Sequence, residues 1–212
     1  MKRIILVRHG ESETNLTKTF TGQLDTALTE RGVQQANLAA EYLDKYKIDR
    51  VYASTLRRAY VTAKPIAKRQ GCGILGRDAL QEINAGVWQG LTFDEIIEKY
   101  PDTYNVWRAD LKSAKPDGGE SCEELYSRVV SEFKTIIEED GDLTVCIVAH
   151  ATPVRMIMSF MEYGSIDGIS VIPWVPNASV TVYKYDGGVF EAEETGYCEY
   201  LGEMLTNLPK II

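Results

Sequence analysis

The sequence has few of the residues that build metal sites and disulfide frameworks. Its four cysteines, Cys72, Cys122, Cys146 and Cys198, form no C-x-x-C pair, and it contains only two histidines. Structural zinc sites and disulfide-rich domains depend on closely spaced ligands or on paired cysteines. We therefore predict no metal site, no cofactor and a reducing compartment, for which the cytoplasm is the simplest choice.

Long apolar runs and an excess of positive charge are also missing. The first apolar run, Ile4 to Val7, is ended by Arg8 and His9, so it is too short for a signal peptide or a membrane span. The chain carries 23 Lys and Arg against 31 Asp and Glu, a net charge of -8. A nucleic-acid surface needs a basic stripe. We expect neither a membrane nor a nucleic-acid partner, and an anion site would require a local cluster of cations.

The length and composition are those of one ordinary globular domain. The chain has 212 residues, of which 44% are hydrophobic and 25% are charged, and no low-complexity stretch divides it. We therefore expect a single domain over residues 1–212. The sequence neither requires nor excludes a homodimer.

Three short apolar runs have the pattern of strands that are buried on both faces. They are Ile4 to Val7, Val51 to Ala53 and Leu143 to Ala149, and each is followed by polar residues and a helix-like segment. Repeated strand, helix and parallel strand predict an α/β fold with three layers, in which a mostly parallel central sheet has helices on both faces. Ser179 to Tyr185 alternates like a further strand, and the turn at 186–188 predicts a partner strand after it.

Several helix starts can be read from capping residues. Thr92 with Glu95, and Ser121 with Glu124, match the capping box, and a further helix is expected to open at Thr152-Pro153. After a Thr29 cap, helical spacing predicts one buried face formed by Val33, Ala36, Ala40 and Leu43. Pro65 predicts a kink or break in the helix that begins near Leu56.

Cationic and imidazole side chains follow the predicted strands where each strand ends. Arg8 and His9 follow the first strand, the segment from Ser54 to Arg58 follows the second, and His150 follows the strand that ends at Ala149. Parallel strands place their carboxyl ends at one edge of the sheet. A phosphate ester needs positive donors around its oxygens, an in-line nucleophile and an acid for the leaving alkoxide. These residues could supply most of that set.

The same residues lie in motifs that resemble the histidine phosphatase (phosphoglycerate mutase-like) superfamily. The segment Leu6 to Asn15, LVRHGESETN, is similar to the family's R-H-G-E/Q signature with its trailing Asn. Further blocks follow in order and extend the resemblance over about residues 4 to 180: Phe20 to Asp25 with Leu28 to Gly32, Ser54 to Ala59, Glu82 with Gly86 to Gly90, and Val148 to His150. The resemblance implies a phosphoglycerate mutase-like fold.

The resemblance also implies a role for each catalytic candidate. His9 corresponds to the nucleophile that becomes phosphohistidine, and Arg8 and Arg58 to the arginines that clamp the phosphoryl oxygens. Glu82 corresponds to the acid that protonates the leaving oxygen and then activates water. His150 would lie opposite His9 and donate a hydrogen bond to the phosphoryl oxygens. The implied activity is metal-independent hydrolysis of a small phosphorylated metabolite.

Four residues are implied on the substrate side of the site. They are Asn15, Gly22, Gln23 and Ala151. Ala151 stands where the family often has Gly, and its side chain narrows the space beside the phosphate.

Arg57 and Arg58 point about 100° apart on a helix, so both can hardly face the pocket. The resemblance selects Arg58, and we expect Arg57 to be solvated.

Three other interpretations remain open at this stage. A phosphoglycerate mutase shares the phosphohistidine step but returns the phosphoryl group to the sugar acid; extra segments exclude water in such mutases, whereas the connection from Asn15 to Asp25 is short. A non-catalytic phosphate-binding module would not need the acid Glu82. A metal hydrolase is disfavoured because the histidines have no H-x-x-x-H spacing.

The substrate itself is not indicated by any motif. Small sugar phosphates, phosphoglycerates and nucleoside-type monophosphates all fit the residues described so far. The segment 102–120 is expected near the mouth of the pocket, where it could contact the rest of the substrate through Trp107, Arg108, Lys112 and Lys115.

Overall fold

The computed structural model describes residues 2–140 and 142–206. Within them, six strands form one sheet: β1 (Lys2–Arg8), β2 (Arg50–Ser54), β3 (Ile74–Arg77), β4 (Val145–Ala149), β5 (Val180–Asp186) and β6 (Val189–Tyr197). Their order is β3-β2-β4-β1-β5-β6. Strands β1 to β4 are parallel, and the hairpin of β5 and β6 adds two antiparallel strands beside β1. The predicted mostly parallel sheet is confirmed.

Seven helices are present in the described ranges: α1 (Glu13–Leu16), α2 (Glu30–Tyr42), α3 (Arg57–Gln70), α4 (Phe93–Lys99), α5 (Pro101–Ala109), α6 (Cys122–Glu139) and α7 (Ala151–Tyr163). Short 3-10 turns lie at Leu43–Lys45, Asp78–Leu80, Gly86–Trp88, Ile166–Ser170 and Glu199–Met204. No helix in these parts of the chain is long and apolar enough to cross a membrane.

The sheet is covered on both faces, because successive residues of a strand point to opposite sides. Ile4 and Leu6 of β1 belong to one core, which they share with apolar residues of α6 and α7. Ile5 and Val7 belong to the other core, with apolar residues of α2 and α3. The three-layer α/β architecture is therefore confirmed.

The capping residues begin the helices as predicted. Capping boxes open α4 at Thr92 and α6 at Ser121, and the Thr29 hydroxyl accepts a hydrogen bond from a backbone amide of α2. The last helix begins at Ala151, one residue earlier than expected, and Pro153 is its third residue.

The expected burial of Val33 is wrong, and the helix that contains Pro65 has no break. Val33 is 45% exposed, and Gln35 is completely buried on α2 in its place, because its side chain accepts a hydrogen bond from the Glu11 amide and donates one to the Met204 carbonyl. Pro65 does not break α3, which continues to Gln70. The lost hydrogen bond is offset by the buried apolar face that this helix packs on the sheet.

Candidate active site

The carboxyl ends of three neighbouring strands bring the candidate residues together. Arg8 ends β1 opposite Ala149 of β4, and the His9 amide donates a hydrogen bond to the Ala149 carbonyl. The rings of His9 and His150 lie edge to face with their centroids 5.1 Å apart. Arg58, in the first turn of α3, lies beside the two rings, because its Nε donates a hydrogen bond to His150. The expected meeting of these groups at one sheet edge is present.

His9 is held as a neutral imidazole with one nitrogen free. It is only 4% exposed, and burial, followed by the charges of Arg58 and Arg8, lowers its pKa well below 6.5. Its Nδ1 lies 2.7 Å from the Gly10 carbonyl oxygen, which can only accept, so the proton sits on Nδ1. Nε2 therefore carries the lone pair.

Arg8 and Arg58 place two guanidinium groups on the same cleft. Arg8 donates from Nη1 to the Val175 carbonyl (2.7 Å), while its buried Nε has no partner among the described residues. Arg58 donates to the carbonyls of Leu24 (2.7 Å) and Gly22 (2.8 Å). Burial lowers the pKa of each arginine to about 10, so both stay charged near neutral pH. Two buried like charges favour the binding of an anion.

Glu82 is half-buried and lines the same cleft. One carboxylate oxygen accepts a hydrogen bond from the Ile83 amide (2.9 Å), and the other faces the Thr152 amide (3.4 Å) in the first turn of α7. Its backbone carbonyl accepts hydrogen bonds from Gln23 (3.1 Å) and Arg128 (3.3 Å). Arg128 is a site-supporting residue that no sequence motif indicated.

His150 lies beside His9, and both of its ring nitrogens are within hydrogen-bond distance of protein groups. It is completely buried, and it is absent from the cleft wall. Its Nδ1 accepts from Nε of Arg58 (3.1 Å), so its proton sits on Nε2 and is donated to the Ser54 hydroxyl (2.8 Å). Burial and then Arg58 lower its pKa well below 6.5. His150 therefore stands behind Arg58 and orients it, and neither ring nitrogen is open to a ligand.

Three of the four substrate-side candidates line the cleft, namely Asn15, Gly22 and Ala151. Gln23 does not line it, because its side-chain amide donates to the Glu82 carbonyl. The structure thus assigns Gln23 to holding the carboxylate-bearing loop. Arg57 is exposed, as expected.

Asn177 is a site residue that the sequence gave no means to select. It is completely buried, and its amide group donates to the carbonyl of His9 (3.1 Å) and to Oδ1 of Asn15 (3.1 Å). Asn15 Oδ1 also accepts from the Ser12 amide (3.0 Å). Asn177 therefore ties the histidine loop to the beginning of α1.

The segment 102–120 contributes less to the cleft than expected. Trp107 lines it, but Arg108 and Lys112 line a neighbouring cavity, and Lys115 forms an ion pair with Glu124. Sequence reasoning did not select the remaining aromatic residues of the cleft, although Phe20 begins a motif block and Tyr104 lies within the segment 102–120; these are Phe20, Phe93, Tyr104 and Trp174. Trp88, which lies in the Gly86 to Gly90 block, belongs to the core and is 1% exposed.

Within residues 2–140 and 142–206, no group of three or more His, Cys, Asp or Glu side chains is placed to hold a metal ion. The cationic groups that the protein itself brings to the cleft wall are Arg8, Arg58 and Lys18.

A family model matches most of the chain. The model of the histidine phosphatase superfamily (branch 1) matches residues 4–197. Phosphoserine phosphatase 1 of Hydrogenobacter thermophilus is 37% identical over 155 residues, which are 73% of this chain and 74% of that protein. A 2,3-bisphosphoglycerate-dependent phosphoglycerate mutase of Cytophaga hutchinsonii is 37% identical over 176 residues, covering 80% and 82% of the two chains.

Solved structures resemble the fold at similar coverage. Mycobacterial glucosyl-3-phosphoglycerate phosphatase in complex with VO3 superposes with a TM-score of 0.86 at 29% identity, covering 93% of this chain and all of that one. The chain spans about half the length (54%) of several mycobacterial relatives that are 36% identical to it, among them a bifunctional protein of Mycobacterium tuberculosis.

Proposed function

Since the chain belongs to the histidine phosphatase superfamily, we propose that it hydrolyses small phosphomonoesters through a phosphohistidine on His9, without a metal ion. Its enzyme class, phosphomonoester hydrolase, is supported by the phosphatases among its relatives. We also propose that residues 1–212 form a single domain, of which Met1, Gly141 and residues 207–212 lie outside the described part.

The state of His9 is the observation that carries this proposal. A neutral imidazole is a competent nucleophile, and the hydrogen bond from Nδ1 to the Gly10 carbonyl leaves the Nε2 lone pair to attack. Because the pKa of His9 is held well below 6.5, this lone pair is available throughout the neutral range. A phosphate-binding pocket that lacked catalysis would have no need for it.

The charges around His9 suit the transferring phosphoryl group. Arg8 and Arg58 would bind its nonbridging oxygens, because guanidinium groups match phosphate geometry. The first amides of α7, at Ala151 and Thr152, add the positive end of a helix dipole. These donors are fixed before the substrate arrives, and such preorganised charge stabilises the transition state.

The reaction then proceeds in two displacements. In the first, Nε2 of His9 bonds to phosphorus, the bond from phosphorus to the ester oxygen breaks, and protonated Glu82 gives its proton to the leaving alkoxide. In the second, ionised Glu82 takes a proton from water, the water oxygen bonds to phosphorus, and the bond to nitrogen breaks. The products are the alcohol, inorganic phosphate and the starting enzyme with Glu82 protonated.

Intramolecular phosphoryl transfer in a sugar acid is the alternative, and the mutase relative from Cytophaga hutchinsonii favours it. It shares the first displacement but delivers the phosphoryl group to a second hydroxyl of the substrate. Incubation with 3-phosphoglycerate distinguishes the two: a hydrolase releases inorganic phosphate, and a mutase yields the 2-phosphate isomer with little release.

The test is hydrolysis of a generic aryl phosphate in excess chelator by the wild type, His9→Ala and His9→Asn. We expect turnover by the chelated wild type, loss in both variants, and an acid-labile phosphoenzyme in the wild type after rapid quenching. His9→Asn is the sharper variant because it keeps a polar side chain of similar reach. Loss of wild-type turnover with chelator, or persistence in the variants, would show that the nucleophile is wrongly assigned.

A further inference from the structure

The cleft has two chemically unlike surfaces. One carries the charged and nucleophilic groups Arg8, His9, Arg58 and Glu82. Among the other described lining residues, Lys18 is the one with a charge. The second surface, here called the aromatic wall, consists of Phe20, Phe93, Tyr104, Trp107 and Trp174.

The aromatic wall is held in place before any ligand binds. Phe20 pairs through its backbone with the segment 90–91: its amide donates to the Leu91 carbonyl (2.8 Å), and its carbonyl accepts from Gly90 (3.0 Å). The Phe20 ring lies edge to face against Phe93 (5.9 Å between centroids) and Trp107 (5.6 Å). A ring that docks here meets preorganised partners, so little side-chain entropy is lost on binding.

The wall residues differ in how much surface they leave open. Tyr104 and Trp107 are 5% and 9% exposed, so they form the deeply buried part of the wall. Phe20, Phe93 and Trp174 are only half-buried and also line the cleft. The guanidinium of Arg155 packs over the Trp174 ring, 4.2 Å from its centroid. Three fixed aromatic surfaces are therefore available to a ligand.

Several polar residues of the cleft use their donors within the protein. The Thr21 hydroxyl donates to Thr14 (2.6 Å), the Thr206 hydroxyl donates to the Glu11 carboxylate (2.9 Å), and the Asn177 amide group makes two internal hydrogen bonds. A polyol would find few of these donors open, whereas an apolar group needs none.

We propose that the alcohol part of the substrate carries an aromatic ring, which packs on the exposed members of the aromatic wall, Phe20, Phe93 and Trp174. This inference rests on the proposed phosphomonoesterase activity and names the substrate class for the same cleft. Phosphate would bind at the arginines, and burial of the ring would supply the remaining affinity through removal of apolar surface from water.

Two alkyl phosphates test the proposal while keeping the leaving groups alike. 2-Phenylethyl phosphate and ethyl phosphate both release a primary alkanol, so a difference in kcat/KM reports the ring and not the reactivity of the ester. We expect kcat/KM to be at least about tenfold higher for the phenylethyl ester, since burying part of a phenyl ring accounts for a factor of this size. Equal values, or a preference for ethyl phosphate, would overturn the substrate class.

Substitutions in the aromatic wall test whether its side chains cause the preference for the phenylethyl ester. Phe93→Ala and Trp174→Ala should each reduce the ratio of the two kcat/KM values at least about threefold, and Trp174→Phe should retain most of the ratio. Tyr163→Ala, which removes an aromatic ring that is 54% exposed at the end of α7, is the matched control and should leave the ratio unchanged. A ratio that survives both alanine variants would place the ring elsewhere.

Non-hydrolysable analogues separate this inference from the proposed reaction. 3-Phenylpropylphosphonate and propylphosphonate, titrated into the full chain by calorimetry, require no turnover. Tighter binding of the phenyl compound by at least about tenfold would support the wall, whether or not the chain hydrolyses a phosphate ester. If the chain binds in this way but hydrolyses nothing, the result counts against the proposed reaction alone. Equal binding in an active phosphatase would overturn the wall and leave the reaction standing.

Discussion

Hydrogen-bond partners give the two histidines different chemistry, although burial makes both neutral. His9 directs its proton to the Gly10 carbonyl and keeps Nε2 free, whereas His150 accepts from Arg58 and gives its proton to Ser54. The acceptor-only carbonyl and the donor-only guanidinium decide each tautomer. The same residue type thus supplies the proposed nucleophile and a residue that positions Arg58.

Adjacent arginines provide a matched test at this scale. Arg58→Ala removes a guanidinium from the cleft and should lower kcat/KM by about 10²-fold to 10³-fold, the usual effect of deleting a donor to a charged transition state. Arg57→Ala removes an exposed guanidinium on the same helix and should leave kcat/KM within about twofold. The measurement is steady-state hydrolysis of an aryl phosphate. Similar losses in both variants would indicate a general effect of charge.

At the scale of elements, the loop that carries Glu82 is held by a second loop. The Asn84 carbonyl accepts from the Glu120 amide (2.7 Å), and the Val87 amide donates to the Asp117 carbonyl (3.0 Å). Between these bonds lies Gly86, with φ of +50°. The two loops approach so closely that the position of the carboxylate depends on backbone contact.

Substitution of two glycines measures that approach. Both Gly86 and Gly118 have positive φ, but a Cβ at Gly86 would lie 2.1 Å from the Asp117 carbonyl oxygen, whereas one at Gly118 would meet nothing within 4 Å. Gly118→Ala should lower the free energy of unfolding by about 1 kcal/mol through backbone strain alone. Gly86→Ala should cost at least about 2 kcal/mol and also reduce activity. If urea denaturation gives the same loss of unfolding free energy for both variants, the loop around Gly86 accommodates the added Cβ at no energetic cost.

For the whole molecule, the buried histidines link stability to pH. Their pKa values are lowered in the folded state, so protons bind preferentially to the unfolded chain. The contribution of the neutral histidines to the free energy of unfolding is therefore complete above the unfolded pKa of 6.5, and it is lost as the pH falls below that value. Between about pH 7.5 and about pH 5.5, each histidine should lower the free energy of unfolding by about 1.4 kcal/mol.

The variant His9→Gln isolates one of the two contributions. Its free energy of unfolding should fall by about 1.4 kcal/mol less than that of the wild type between the same two pH values. Comparing the pH-dependent difference within each protein cancels any change in stability that the substitution itself produces. If the two proteins lose equal stability, His9 binds protons equally well in the folded and unfolded states.

The sequence alone determined the fold class and the neighbourhood of the site. Strand-end positions brought Arg8, His9 and His150 to one sheet edge because parallel strands align their carboxyl ends, and capping residues such as Thr92 and Ser121 marked the helix starts. Such signals are local, or follow from one general rule of sheet geometry, so one sequence is sufficient to read them.

Only the tertiary structure decided what each polar group in the site does. Gln23 holds the Glu82 loop, His150 orients Arg58, and Asn177 joins the histidine loop to α1. The aromatic wall also assembles from separate segments of the chain. These arrangements depend on distances between residues far apart in sequence, and no periodicity encodes such distances. The class of reaction can therefore be predicted from the sequence, whereas the shape of the cleft that would contact a substrate forms only in the folded protein.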